Sequence, residues 1–395
     1  MNRKLVITKL DNHILTSILE DEEVVELHCS KTGEEKTTML GNIYVGKVKN
    51  IVSNIGAAFI EIADGKECYY AIEENKTPIF THKIGKKPLC IGDELLVQVS
   101  KEAVKTKVPT VSSKLELSGK YAVLTSGDTR IGASGKLPKA ERERLIQIAK
   151  KFENASYGII VRTNAKDVSE EVLCAEISAL VAEYEAILIA GKTRVCYSCL
   201  KAAPKPYLAE LKNVYQDGLT EIVVEDLEIH KEVKDFLEMN QPEDIQKLRL
   251  YKDALLPLHK LYCIEKQVED ALKECVWMKS GAYLVIQHTE ALTVIDVNTG
   301  KSIDKKRQES VYFKIDMEAA KEVAKQIRLR NLSGIILIDF INLSDSARTE
   351  ELLAYLEREL SKDPIATTLV DMTKLQLVEV TRKKIRKPFY EAFRE

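Results

Sequence analysis

The 395 residues exceed what one hydrophobic core usually organises, so at least two domains are expected. A formal net charge of −2, with 45% hydrophobic and 30% charged residues, is ordinary for a globular chain and gives no global sign of a polyanion partner, so any nucleic-acid site must be local. No apolar run is long enough to span a bilayer, the first residues alternate like a hairpin rather than a signal peptide, and eight scattered cysteines show no framework of spacings; we expect a cytoplasmic protein with no membrane partner and no disulfides.

Residues 1–37 read as a hairpin-rich start, with strands near 4–10, 13–20 and 23–28. From "NIYVGKVKNIVSNIGAAFIEIADGKECYYAI" to "IGDELLVQVSKEAV" the chain becomes short strands punctuated by glycine, which suggests a five-stranded OB-type barrel over 38–113. Such barrels offer aromatic rings and cations to single-stranded nucleic acid, so Phe59, Tyr69, Tyr70 and Lys107 are candidate stacking and phosphate contacts. The alternation in "AAFIEI" fits Phe59 either to that surface or to the core.

The segment 114–206 holds the strand "YGIIVRTNA" and a long helix from Ser169 to Ala190. Gly127, Gly132 and Gly135 form an adaptable loop near Arg130 and Lys136, and Arg162 with Thr163 ends an apolar strand. An arginine, a hydroxyl and glycine amides can clamp a phosphate, although a surface arginine at a strand end has the same appearance. Segment 207–275 mixes strands and helices, "LTEIVVED" being the clearest strand.

The last segment, 276–395, carries the chemistry. In "EALTVIDVNTG" an apolar strand delivers Asp296 and Asn298 to its own exit, and in "SGIILIDFINLSD" a second apolar strand ends in Asp339. Asp and Asn are common at strand ends for local reasons. Here, however, "DMEAAKEVAKQIRLRNLSG" keeps a helical period between the two strands, and a strand–helix–strand crossover makes its strands parallel. Both carboxylates then leave the same sheet edge. Asp296 and Asp339, with the Asn298 carbonyl, form an oxygen-only set that suits Mg²⁺ or Mn²⁺. Lys301, Lys305, Lys306, Arg307, Arg328 and Arg330 flank the pair, and "TRKKIRKPF" adds five cations, so a metal-and-cation site for phosphate is the economical reading.

"NIYVGKV…GAAFIEI", "GIIVRTNA", "TEALTVIDVNTG", "IRLRNLSGIILIDFINL" and "LVEVTRKK" occur in the order and spacing of the catalytic half of bacterial ribonucleases of the E/G family, which this chain resembles over nearly its whole length. The resemblance implies a multidomain α+β and α/β fold. Its parts are a ribonuclease H-like domain split between 1–37 and 207–275, an OB-fold insertion at 38–113, a 5′-sensor at 114–206, and a deoxyribonuclease I-like catalytic domain at 276–395. It implies an Mg²⁺-dependent endoribonuclease of RNA processing and decay that cleaves single-stranded RNA to 5′-phosphate and 3′-hydroxyl ends. Asp296 and Asp339 would hold the metal, Asn298 would orient it, Phe59, Tyr69, Lys107, Arg328 and Arg330 would bind RNA, and Arg162, Thr163, Lys136 and Gly119 would sense a 5′-monophosphate.

The sequence also departs from the family. The chain reaches Glu395 without the Cys-Pro-x-Cys link through which family members share a zinc, so no zinc and no zinc-linked tetramer are expected, and the oligomeric state is left open. Cys196 and Cys199 form the lone C-x-x-C. Gly135-Lys136 stands where the family commonly has adjacent arginines. The competing reading is a non-catalytic RNA-binding or assembly factor that kept the fold, against which the retained Asp296, Asn298 and Asp339 argue.

Overall fold

The structure is a computed structural model describing residues 2–33, 40–103, 108–214, 218–253, 255–300 and 308–394. It is a mixed α/β chain that divides into two compact units. One comprises Met1–Thr32, Asp217–Glu238 and Pro242–Glu395; the other comprises Gly33–Gln216 and Met239–Gln241.

The first unit holds two sheets. The five-stranded sheet runs in the order Leu248–Leu250, Leu219–Val224, Arg3–Leu10, His13–Glu20, Glu23–Lys31. The first strand of the chain, Arg3–Leu10, therefore pairs in parallel with a segment far later in the sequence, Leu5 opposite Ile222. Val6, Leu15, Leu27, Val223, Ile264 and Phe389 are among its core residues.

The six-stranded sheet runs Cys275–Trp277, Tyr283–His288, Leu292–Asn298, Gly334–Asp339, Leu377–Arg382, Thr367–Met372. Its one parallel pairing, Leu292–Asn298 beside Gly334–Asp339, is joined through the helix Gln308–Leu329, as the crossover predicts. The helix ends earlier than Gly334: Asn331 takes the left-handed conformation (φ 51°), and the Leu332 amide returns to the Ile327 carbonyl. Ile295, Val297, Ile336 and Ile338 face the core with Ala319, Val323, Leu352 and Leu356 of the helices Gln308–Leu329 and Ser346–Leu360. Because side chains alternate along a strand, Asp296, Asn298 and Asp339 project from the opposite face.

In the second unit, the strands Ile43–Val52, Ala57–Glu61, Glu67–Ala71, Thr110–Ser112 and Glu94–Lys101 pair in that order, and the last closes on the first, giving the five-stranded barrel. A four-stranded sheet follows, Glu116–Ser118, Ala122–Ser126, Tyr157–Val161, Ile131–Ala133, packed on the helix Glu170–Thr193. Ser169 caps that helix by accepting from the Val172 amide.

Candidate functional site

Asp296 and Asp339 are direct partners in the parallel ladder, which puts their strands about 4.8 Å apart at the shared edge. Asn298 donates its amide to the Asp296 carboxylate at 2.7 Å and so fixes that side chain. Burial, then the negative charge of Asp296, raises the Asp339 pKa above the ordinary carboxylate value. A pair held like this resists carrying two negative charges until a cation lies between them, so the donors fit a hard divalent ion. Among the described residues no group of three or more His, Cys, Asp or Glu could hold a metal; a site of two carboxylates and an amide is of another kind.

The backbone around the pair is tightly determined. Gly300 sits at φ +66°, and a side chain there would meet the Gly281 carbonyl oxygen at 2.3 Å, so the exit of the Asp296 strand requires glycine. On the other strand, the Ile341 amide, two residues past Asp339, donates to Asp316 Oδ1 at 3.0 Å. Asp316 is fully buried, its second oxygen has no partner among the described residues, and burial pushes its carboxyl up to about 7. Sequence reading missed Asp316: on an amphipathic helix an aspartate reads as a solvent-facing residue. Asp345 is a helix cap, accepting from the Ala347 amide at 2.9 Å.

Three basic expectations are corrected. Arg328 Nε donates to Glu26 at 2.6 Å and Nη2 to Glu20 at 3.0 Å, with only 13% of the side chain exposed. Against the cost of burial, His28 and Arg328 hold the Glu26 carboxyl down at about 2. Arg330, 3% exposed, donates to Gln326 and to the Lys273 and Asp270 carbonyls. In the basic run, Arg382 is buried against Asp363 at 2.7 Å. These guanidiniums are engaged internally. Lys301, Lys305, Lys306 and Arg307 lie outside the described residues.

On the barrel, Phe59 and Tyr69 are opposite each other in the ladder, with ring centroids 6.4 Å apart in an edge contact. Both are half-buried, whereas their neighbours Ala58, Ile60, Cys68 and Tyr70 form the core. Phe59 thus belongs to the outer surface. Tyr70 is corrected to a core residue, 1% exposed and bonded to the Ser113 hydroxyl at 2.9 Å. Lys107 lies outside the described residues.

The four expected sensing residues are brought together. Arg162 Nη1 donates to the Gly119 carbonyl at 2.8 Å and to the Lys212 carbonyl at 3.1 Å, and Nη2 donates to Asn213 at 3.0 Å. Thr163 Oγ1 lies 2.9 Å from Ser134 Oγ, which also accepts the Lys136 amide at 3.4 Å. Glu176, which sequence reading missed, accepts the Lys120, Tyr121 and Ala122 amides at 3.0, 2.7 and 2.8 Å. A side chain at Gly119 would meet its Oε1 at 2.3 Å, so Glu176 and the amide bonds it accepts would have to shift.

Cys196 and Cys199 are free thiols, and burial raises both pKa values, that of Cys196 to about 11. No helix among the described residues is long and apolar enough to cross a membrane.

Known proteins share this sequence pattern. The model of the Ribonuclease E/G family matches residues 116–385. Ribonuclease G of Salmonella typhimurium (strain SL1344) is 30% identical over 404 residues, covering 98% of this chain and 81% of that protein. Ribonuclease G of Escherichia coli (strain K12) is 30% identical over 403 residues with the same coverage. Ribonuclease E of Synechocystis sp. (strain PCC 6803) is 30% identical over 404 residues, covering all of this chain and 58% of that protein.

Proposed function

This chain belongs to the ribonuclease E/G family, and from that premise we propose that it is an Mg²⁺-dependent endoribonuclease cleaving unpaired RNA at Asp296 and Asp339. The observation that carries the reading is the in-register pairing of the two carboxylates, one braced by Asn298 and the other made reluctant to ionise by burial and by its partner's charge. Asp296 and Asp339 would hold Mg²⁺, or Mn²⁺ in its place. When bound, such a cation polarises the scissile phosphate, lowers the pKa of an attacking water and stabilises charge growing in an in-line displacement.

The remaining roles fall to the chain's own groups. Asn298 keeps the Asp296 carboxylate in one orientation, and Asp316 anchors the backbone just past Asp339, which limits the wandering of both ligands. Phe59 and Tyr69 offer rings to unpaired bases, a surface a duplex cannot use with its bases stacked inside. Arg162, Thr163, Lys136 and Gly119 form the reading's 5′-monophosphate sensor. Products carry 5′-phosphate and 3′-hydroxyl ends. The five-stranded sheet is assigned as the ribonuclease H-like part and the six-stranded sheet as the deoxyribonuclease I-like part. The proposal includes no zinc, Cys196 and Cys199 being a lone C-x-x-C.

The test is incubation of the purified chain with a 5′-monophosphorylated single-stranded RNA, with Mg²⁺ or with chelator. Internal cleavage with Mg²⁺ alone is expected; intact RNA in both arms would overturn the proposal in favour of a non-catalytic RNA-binding protein.

A further inference from the structure

The only tryptophan of the chain, Trp277, is 69% exposed, a poor place for a large apolar ring unless something covers it. It stands directly opposite Tyr283 in the ladder, ring centroids 4.9 Å apart, and Tyr283 in turn stands opposite Asn298. Directly paired residues share a face, so Trp277, Tyr283, Asn298 and Asp296 lie on the same side of the sheet. The other side carries Leu284, Ile286, Ile295 and Val297 into the core, with Val276 packed against them. Diagonal neighbours across adjacent strands are about 7–8 Å apart, which sets the spacing from Asp296 to Tyr283.

The pair is held rigidly. In the turn between its two strands, the Met278 amide bonds the Ala282 carbonyl at 2.8 Å and the Lys279 amide donates to Glu318 at 2.9 Å. Gly300 closes against Gly281, so the turn that joins the aromatic strands also touches the exit of the Asp296 strand.

We propose that Trp277 and Tyr283 form a stacking platform for an unpaired RNA base next to the phosphate held at Asp296 and Asp339. The inference rests on the nuclease reading and adds a contact to it. Trp277 lies two strands from Asp296, roughly 10 Å across the ladder, a reach that bases near the scissile bond span, and stacking needs only the π-face that every base has. The platform therefore favours single strands without selecting a sequence.

A short single-stranded oligoadenylate, titrated in chelator so that no cleavage proceeds, tests this through the emission of Trp277, while anisotropy of the same strand carrying a fluorescent label reports binding independently. Emission is expected to change in step with anisotropy. Trp277→Ala is expected to weaken binding roughly 5- to 100-fold, and Trp277→Phe to keep it within a few-fold; urea unfolding checks that both variants are folded. Binding with unchanged emission, or full affinity in Trp277→Ala, overturns the platform, while Mg²⁺-dependent cleavage by the unmodified chain separately upholds the nuclease reading. Emission that follows protein concentration and not RNA assigns the rings to a contact between copies and also overturns it. Loss of both binding and cleavage overturns the nuclease reading and the platform with it.

Discussion

Asp296 stands opposite Asp339 in the parallel ladder, and the charge of the first contributes to raising the pKa of the second. The repulsion between them is relieved by a divalent cation, so Mg²⁺ is expected to stabilise the chain by preferential binding to the folded state. The melting temperature should rise by a few degrees in Mg²⁺, and Asp339→Asn should remove most of that rise. Calorimetry with and without Mg²⁺ measures it; an equal rise in the variant would place the ion elsewhere.

Asp316 sets a pH dependence. Its folded pKa, about 7, lies above the ordinary 3.8, so the folded state binds a proton that the unfolded state releases first. The stability associated with it is fully present below the unfolded value and is lost as pH rises through about 7. Each tenfold difference in proton affinity between the folded and unfolded chain is worth about 1.4 kcal/mol, so the loss is of order a few kcal/mol. Asp316→Asn, which keeps an acceptor for the Ile341 amide, should flatten this decline and be more stable than the unmodified chain at pH 8. Urea unfolding at pH 5 and pH 8 is decisive, and parallel curves for the two proteins would contradict it.

Arg328 should prove a structural residue. Removing it leaves Glu20 with Arg3 and Glu26 with His28 as their remaining partners, so the loss is expected at the lower end of the about 3–5 kcal/mol typical of breaking a buried pair from one side. Arg328→Ala is expected to lose stability of that order above the ordinary carboxylate range, with a smaller loss as pH falls toward the depressed Glu26 value near 2. Weaker RNA affinity at undiminished stability would restore Arg328 to the RNA surface.

At the sensor, a 5′-monophosphorylated RNA should be cut faster than its 5′-hydroxyl counterpart, and Arg162→Ala should close the gap. The preference should be modest, because Lys136 offers a point charge rather than a bidentate fork, a difference of about 1–3 kcal/mol. Gly119→Ala should also reduce it, since the added carbon collides with Glu176. Rates for the two RNAs, measured side by side, decide this, and equal rates with the unmodified chain would leave the segment without a sensing role.

The paired aspartates were legible because their signals are local: two apolar runs each ending in Asp, with a helical period between them that forces parallel strands. The barrel was legible from evenly spaced short strands. Other features depend on partners far away in the chain. Arg328 reads as part of a basic cluster until the fold brings Glu20 and Glu26, separated from it by 308 and 302 residues, against it. Arg330 and Arg382 likewise pair with groups that no local pattern announces. Glu176 and Asp316 read as polar positions on amphipathic helices, and only the fold shows that one gathers three amides and the other is sealed in a core. Phe59 and Tyr70 could not be separated by alternation alone until strand pairing fixed which face was inside.

The most direct test of the central claim is the rate of Mg²⁺-dependent cleavage of one single-stranded RNA by the unmodified chain, Asp296→Asn and Asp339→Asn, each at saturating RNA with affinity measured separately. Loss of either carboxylate is expected to lower the rate by roughly a thousandfold or more, the scale of removing electrostatic stabilisation from a reacting centre, while RNA affinity stays within a few-fold. Cleavage at near-unmodified rates by either variant would contradict the assignment.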